Sequence, residues 1–343
     1  MQKRPASIAK RLLIARVWGR YCVFGLLIAE HVLLKLRCSR TLPSPPPSPP
    51  SNPPSPPLLP QHHPLLHYIV THVFANLIGY IVFTVRGFKR GVLNGQVYYH
   101  RPCDPSLAPS ETKKPLIYIS GIGIGLISYE ALINALVGSA HDRDVLLFDL
   151  PELSLRWTPG MQHSHASPLQ TAETVNQLIR SCVKGEEGAH AVAHSFGCIC
   201  VQWIIRLAPD ESPITSLTFV DPVCFLLISP SVAANFCYRF PKTFLDLLVS
   251  YFVAREIGVN NALHRHFQWK VNNLDPQLLP ENSSVVLSEF DAFVPSELVK
   301  NHLKCERPDV RVEVLKGHFH SQFSVVKESF QLVAEMSREC DVN

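Results

Sequence analysis

Near the middle of this 343-residue chain, Ala193-His194-Ser195-Phe196-Gly197 sets a hydroxyl between small residues two positions before it and two after. The run ahead of it, Ala189 to Ala193, is short and apolar, and the run behind it, VQWIIRLA, has a helical pattern. A serine on so sharp a strand-to-helix turn is raised above a sheet edge as a nucleophile, and the small neighbours are needed because strand and helix approach closely there. Ala193 stands where Gly is more usual, a departure of one methyl, while Gly197 keeps full backbone freedom. A five-residue match of this kind recurs by chance, and an ordinary turn serine opening a buried helix is the competing reading. The partners decide between them.

A serine hydroxyl is a poor nucleophile near neutral pH, so it needs an imidazole to take its proton and an acid to orient that imidazole and stabilise its charged form. Behind such a turn the acid comes first in the chain and the histidine second. Ser284 to Ser288 reads as a buried strand, and Asp291 follows it just ahead of Pro295 and a helix over 296–304. That places Asp291 at the carboxyl end of a strand, where a helix N-cap is its competing use. Asp221, in Phe219-Val220-Asp221-Pro222, is the rival acid at the end of the preceding strand. The last strand, Val310 to Leu315, runs into Gly317-His318-Phe319-His320 and a terminal helix over 324–339. Either histidine could be the base: the preceding Gly favours His318, whereas the offset to Gln322-Phe323 favours His320, which is preferred. His-x-His as a metal site is weak, with no third ligand at matching spacing. Two backbone N–H groups must also point at the developing negative charge. Phe196 would supply one, and Ile122, in the Gly-rich loop Ser120-Gly121-Ile122-Gly123-Ile124-Gly125, the other. That Gly run lacks the spacing of a dinucleotide-binding turn, and neither a cofactor nor a metal is called for.

These side chains need a scaffold that delivers them to one edge. From Gly95 onward strand-like apolar runs alternate with helical ones, starting at Pro115 to Ser120 and continuing through Asp144 to Asp149, Ala189 to Ala193 and Ser216 to Val220. Such alternation implies an α/β class, with a mostly parallel sheet flanked by helices. Between Asp221 and Ser284 the alternation stops in a stretch rich in Phe, Leu and Tyr, which reads as an inserted helical cap over about 225–282.

Taken together, ISGIGIG for the oxyanion loop, AHSFG for the nucleophile elbow, LSEFDAFVP for the acid and GHFHSQF for the histidine resemble the α/β-hydrolase superfamily over residues 112–343. FVDPVCFLL, NFCYRFP and HFQW are similar to a eukaryotic, membrane-associated branch of it. The resemblance implies an eight-stranded sheet and a serine hydrolase site on its carboxyl edge. The expected activity is cleavage of a carboxylic ester through an acyl-enzyme on Ser195, Asp291 and His320, as in a serine esterase or lipase. The aromatic-rich cap points to an apolar, lipid-like acyl substrate. An acyltransferase with an alcohol in place of water, or a binding protein that keeps the fold without the chemistry, are the alternatives.

The formal charge of +4 hides a division of the chain. Residues 1–90 hold 12 Lys and Arg against Glu30 alone, and the remainder holds 20 against 27 acids. A net acidic body gives no support to nucleic-acid binding, and the basic arm suggests an address or a membrane contact. Within residues 1–40 the Arg-rich, nearly acid-free stretch 8–36 fits an organelle transit peptide or a basic amphipathic membrane helix equally well. Thr41 to Pro60, with Pro at 11 of 20 positions, is a polyproline spacer. The hydrophobic stretch 65–90 contains 21 uncharged residues, Leu65 to Val85, ahead of Arg86, Lys89 and Arg90, long enough to cross a bilayer. His67, His72 and Asn76 make a buried or interfacial helix an equal reading. Ten scattered cysteines without a C-x-x-C pair read as reduced thiols of an intracellular, membrane-associated protein.

Overall fold

The computed structural model describes residues 63–108, 111–138, 141–150, 153–155, 167–182, 188–207, 212–227, 247, 250–263, 267 and 271–341. The basic segment 1–40, the Pro-rich run 41–60, NFCYRFP at 235–241 and much of the stretch expected as a cap lie outside the described residues.

Eight strands form one sheet: β1 (Lys89–Leu93), β2 (Gln96–Arg101), β3 (Leu116–Ile119), β4 (Val145–Asp149), β5 (Ala189–His194), β6 (Ile214–Val220), β7 (Asn282–Ser288) and β8 (Arg311–Leu315). Their order is β1-β2-β4-β3-β5-β6-β7-β8; β1 with β2 and β2 with β4 run antiparallel, and every other pair is parallel. The mostly parallel sheet expected from the alternation is present. It begins earlier than expected, because β1 lies ahead of the boundary placed at Gly95. Asn94 and Gly95 form a two-residue hairpin turn with φ of 47° and 81°, and Leu93 pairs with Gln96 across it. Asn-Gly suits this turn because both central residues need positive φ.

The helices are α1 (Leu65–Val85), α2 (Glu130–Val137), α3 (Pro168–Cys182), α4 (Gly197–Leu207), α5 (Ile257–Asn261), α6 (Ser296–Glu306) and α7 (Lys327–Cys340). Strand alternation divides them between two faces. Ile117, Ile119, Leu146 and Phe148 share a core with Val175 and Ile179 of α3, Ile204 of α4 and Leu303 of α6. Leu116, Tyr118, Val145 and Leu147 share the other with Phe83 of α1, Leu132 of α2 and Met336 of α7. Burial on both sides explains why β3 to β5 read as continuous apolar runs. Each fully buried Leu or Ile contributes about 2 kcal/mol from area alone, so the sheet is a stiff platform for the loops at its carboxyl edge. Of the stretch expected as a helical cap, α5 and short helical turns at Ser250–Ala254 and Pro276–Leu278 are described.

Candidate active site

Strand β5 ends at His194, and α4 starts at Gly197, leaving two residues to reverse direction. Ser195 makes the turn with φ of +53°, a left-handed conformation that a β-substituted residue adopts at a cost of about 1–3 kcal/mol. A Cβ on Gly197 would lie 2.4 Å from the Ile119 carbonyl oxygen and 2.8 Å from that of Ser120. Gly is therefore needed at this position, whereas Ala193 fits, fully buried, at the other small position. The Ser195 amide donates to the Val220 carbonyl at 3.0 Å, which ties the turn to the neighbouring strand.

The loops after β7 and β8 bring two side chains to that hydroxyl. His320 Nε2 lies 3.0 Å from Ser195 Oγ, and His320 Nδ1 lies 2.6 Å from Asp291 Oδ2. With the Nδ1 proton donated to the carboxylate, Nε2 accepts from the serine, the tautomer a general base requires. The second oxygen of Asp291 accepts from the amides of Phe293 at 2.7 Å and Val294 at 2.9 Å. One carboxylate thus orients the imidazole and closes the turn at Phe293 and Val294; it is not the N-cap of α6, a position that Pro295 takes without a side-chain cap bond.

Asp221 and His318 sit elsewhere. Asp221 accepts from the Ser288 amide and hydroxyl at 2.7 and 2.9 Å and from the Ser321 amide at 3.1 Å. It braces the β6, β7 and β8 ends without reaching Nδ1 of His320. His318 donates from Nδ1 to the Lys316 carbonyl at 2.8 Å and accepts at Nε2 from the Ser329 hydroxyl at 2.6 Å, both ring nitrogens turned away from the serine.

The Gly-rich loop after β3, expected to supply an oxyanion donor, passes directly beside the elbow. A Cβ on Gly121 would stand 2.8 Å from His194 Nδ1 and 2.9 Å from Ser195 Cβ, so only glycine lets the backbone run so close. Gly123 donates to the Leu153 carbonyl at 3.0 Å, whereas among the described residues the amides of Ile122 and Phe196 have no protein acceptor. Buried or half-buried donors left open beside a nucleophile are what a developing oxyanion needs.

No family model matches the sequence, and no curated protein is similar to it. Solved structures are similar in three dimensions. A carboxyl esterase from the fungus Tuber melanosporum aligns over 75% of this chain and 88% of its own, with 15% identity and a TM-score of 0.51. A candidate aryl esterase from Burkholderia cenocepacia aligns over 74% and 98%, with 16% identity and a TM-score of 0.51. A meta-cleavage product hydrolase from Pseudomonas fluorescens, in mutant form, aligns over 74% and 99%, with 14% identity and a TM-score of 0.50. The chain has the α/β-hydrolase fold.

Within this hydrolase fold, the electrostatics around His320 follow from its neighbours. Burial by itself lowers the imidazole pKa; Asp291, by charge and hydrogen bond, and then Asp221 outweigh it, and the net shift is upward from 6.5. Burial likewise lifts Asp221 to about 6, opposed by His320 and reinforced by Asp291. His194 is held well below 6.5 by burial and by His320, whose ring centroid is 5.1 Å away, and stays neutral.

That neutral histidine belongs to a relay of hydrogen bonds which the sequence reading missed. The Tyr129 phenolic oxygen lies 2.8 Å from His194 Nδ1. His194 Nε2 lies 3.2 Å from Ser321 Oγ, next to the base. The relay joins the turn at Leu126–Tyr129, the elbow and the loop after β8. Its one sequence signal was His194 itself, immediately before Ser195 and, with His190, one of two polar residues in the strand.

Among the described residues, two groups have donor atoms close enough to share a cation: His194, Asp221 and His320 at this site, and His100, Asp144 and Cys182 at the other end of the sheet. In the first, each donor already serves a protein partner. In the second, His100 Nε2 contacts Asp144 at 2.7 Å and Cys182 at 3.7 Å, an ion pair that raises the histidine to about 9, chiefly through the bond to Asp144.

Proposed function

We propose that the protein is a serine hydrolase that cleaves carboxylic esters with apolar, lipid-like acyl groups. The observation that carries this reading is the unbroken contact from Ser195 through His320 to Asp291. Ser195 Oγ attacks the ester carbonyl as its proton passes to His320 Nε2, and Asp291 stabilises the imidazolium that forms. The amides of Ile122 and Phe196 receive the oxyanion, and His320 returns the proton to the leaving alkoxide. Water then attacks the acyl-enzyme with His320 as base, releasing the acid and restoring the serine.

The apolar preference rests on the rim. Phe290 and Phe319 are exposed, pack on each other at 5.9 Å between ring centroids, and precede Asp291 and His320 directly in the chain. Phe293 presents its ring to His320 at 5.1 Å, and Phe267 from HFQW packs on Phe196 at 5.5 Å. Phe267 supports assigning 225–282 as a cap above the nucleophile. Similarity in fold to proteins described as esterases agrees with this reading.

Turnover of p-nitrophenyl esters of increasing chain length tests it. Ser195→Ala is expected to lose about 10⁴-fold or more in kcat/KM at unchanged melting temperature. The wild type is expected to prefer medium or long acyl chains over acetyl. Equal turnover by Ser195→Ala and wild type removes the reading.

A further inference from the structure

Helix α1 has two unlike flanks. His67, Thr71, Ala75, Gly79 and Phe83 recur every fourth residue and are buried. Phe83 packs on Phe88 and on Tyr99 of β2, at 5.9 and 5.2 Å between ring centroids. Gly79 faces Ile127, in the turn that follows the Gly-rich loop, and the His67 ring packs at a tilt on Phe252 at 5.1 Å between centroids. At its end Arg86 pairs with Glu130 and Asn134 of α2. The helix is thus fixed to the hydrolase domain along its whole length.

The other flank is open to solvent among the described residues. Leu66, Val73, Phe74, Leu77, Ile81 and Val85 are between 49% and 65% exposed, an apolar strip running from one end of the helix to the other. A patch of that size on a water-soluble domain marks an interaction surface. Asn76, half-buried beside it, is satisfied locally by donating to the His72 carbonyl at 2.7 Å. Beyond the helix Lys89 and Arg90 are exposed on β1, and no acidic residue occurs between Glu30 and Asp104.

We propose that α1 docks in the plane of an anionic phospholipid bilayer, its open flank among the upper acyl chains and its buried stripe still on the domain, without crossing. Length and hydropathy alone allow a span, since all 21 residues average 1.7 in hydropathy. A span would need Phe83, Gly79 and Ala75 stripped from the sheet domain, because a folded domain cannot follow the helix into hydrocarbon. An in-plane helix keeps those contacts and satisfies the open flank. Lys89 and Arg90 fit lipid phosphate, which selects a bilayer over an apolar protein partner. The inference goes beyond the chemistry at Ser195 and stands or falls separately from it.

The test uses the full chain and vesicles of phosphatidylcholine with or without phosphatidylserine. Nitroxide labels at positions 66, 74, 77, 81 and 85 report immersion depth by their exposure to oxygen and to a water-soluble nickel complex. The expected result is one shallow depth at all five positions, with co-flotation at least fivefold stronger on the anionic vesicles. Leu77→Glu with Ile81→Glu, both on the open flank, is expected to abolish co-flotation while the melting temperature stays within a few degrees. A profile deepest near position 74 and shallow at both ends means a span and overturns the proposal. So does unchanged flotation of the double variant, or a chain dimer that the double variant dissociates and that floats with neither vesicle.

Discussion

Replacing Asp291 by Asn should reverse the tautomer of His320. In the wild type, Oδ1 of Asp291 accepts two backbone amides, Phe293 at 2.7 Å and Val294 at 2.9 Å, while Oδ2 accepts the His320 Nδ1 proton at 2.6 Å. An Asn has one acceptor oxygen for these two tasks. Keeping the oxygen on the two amides turns the NH₂ toward Nδ1, which must then accept, so that Nε2 carries the proton and cannot take one from Ser195. Turning the amide over restores the base but sets the NH₂ against two N–H donors. That arrangement loses two hydrogen bonds worth about 1 kcal/mol each and leaves buried donors unsatisfied, for a total of about 3–4 kcal/mol. At 1.4 kcal/mol per factor of ten, the competent tautomer falls to roughly 1 in 10² to 10³. Weaker stabilisation of the imidazolium adds to this, so kcat/KM on a short soluble ester should drop about 10³- to 10⁴-fold. Asp221→Asn leaves the Nδ1 contact untouched and should cost about tenfold or less. Measuring kcat/KM for both variants alongside their melting temperatures checks the argument. A larger loss for Asp221→Asn, or less than tenfold for Asp291→Asn, would refute it.

The base must be neutral to accept a proton and its pKa is raised, so the acid limb of kcat/KM should lie above pH 6.5; a limb below pH 6 contradicts this. Asp221 contributes to that raised value, so in Asp221→Asn a pH titration of activity should show the limb moving to lower pH. Gly121→Ala, whose methyl would stand 2.9 Å from Ser195 Cβ, should lower kcat by about 10² at modest cost in stability, read by steady-state kinetics. Gly197→Ala drives a methyl to 2.4 Å from the Ile119 carbonyl oxygen and should destabilise by about 3 kcal/mol in denaturant melts, whereas Ala193→Gly should stay within about 1 kcal/mol. His318→Ala should keep kcat/KM within about threefold, since both its ring nitrogens are bonded away from Ser195.

Local rules made much of this site readable before any fold was known. A nucleophile turn needs small residues at fixed offsets, and Gly197 and Ala193 satisfy that need with a few letters. The choice between His318 and His320 was not local. Gly317 and Ser321 both take positive φ, 71° and 66°, and only the resulting loop path shows which ring meets Ser195. Asp221 and Asp291 end adjacent parallel strands and look alike in sequence. They differ in that the Asp291 loop reaches across to the β8 loop, while Asp221 is consumed by Ser288 and Ser321. The β1–β2 hairpin is legible through Asn94-Gly95, but β1 is an edge strand with no buried residue and lacks the apolar run that marks its buried neighbours. The relay through Tyr129, His194 and Ser321 is made of bonds that span 65 and 127 positions, and no spacing announces it.

The account depends on Ser195 being a nucleophile activated through His320. Incubation with a fluorophosphonate and mass mapping of the digest tests this most directly. A single phosphonyl adduct on the peptide containing Ser195, absent from Ser195→Ala and strongly slowed in His320→Ala, is the predicted result. Labelling of another serine, or none in a folded wild-type protein, contradicts it.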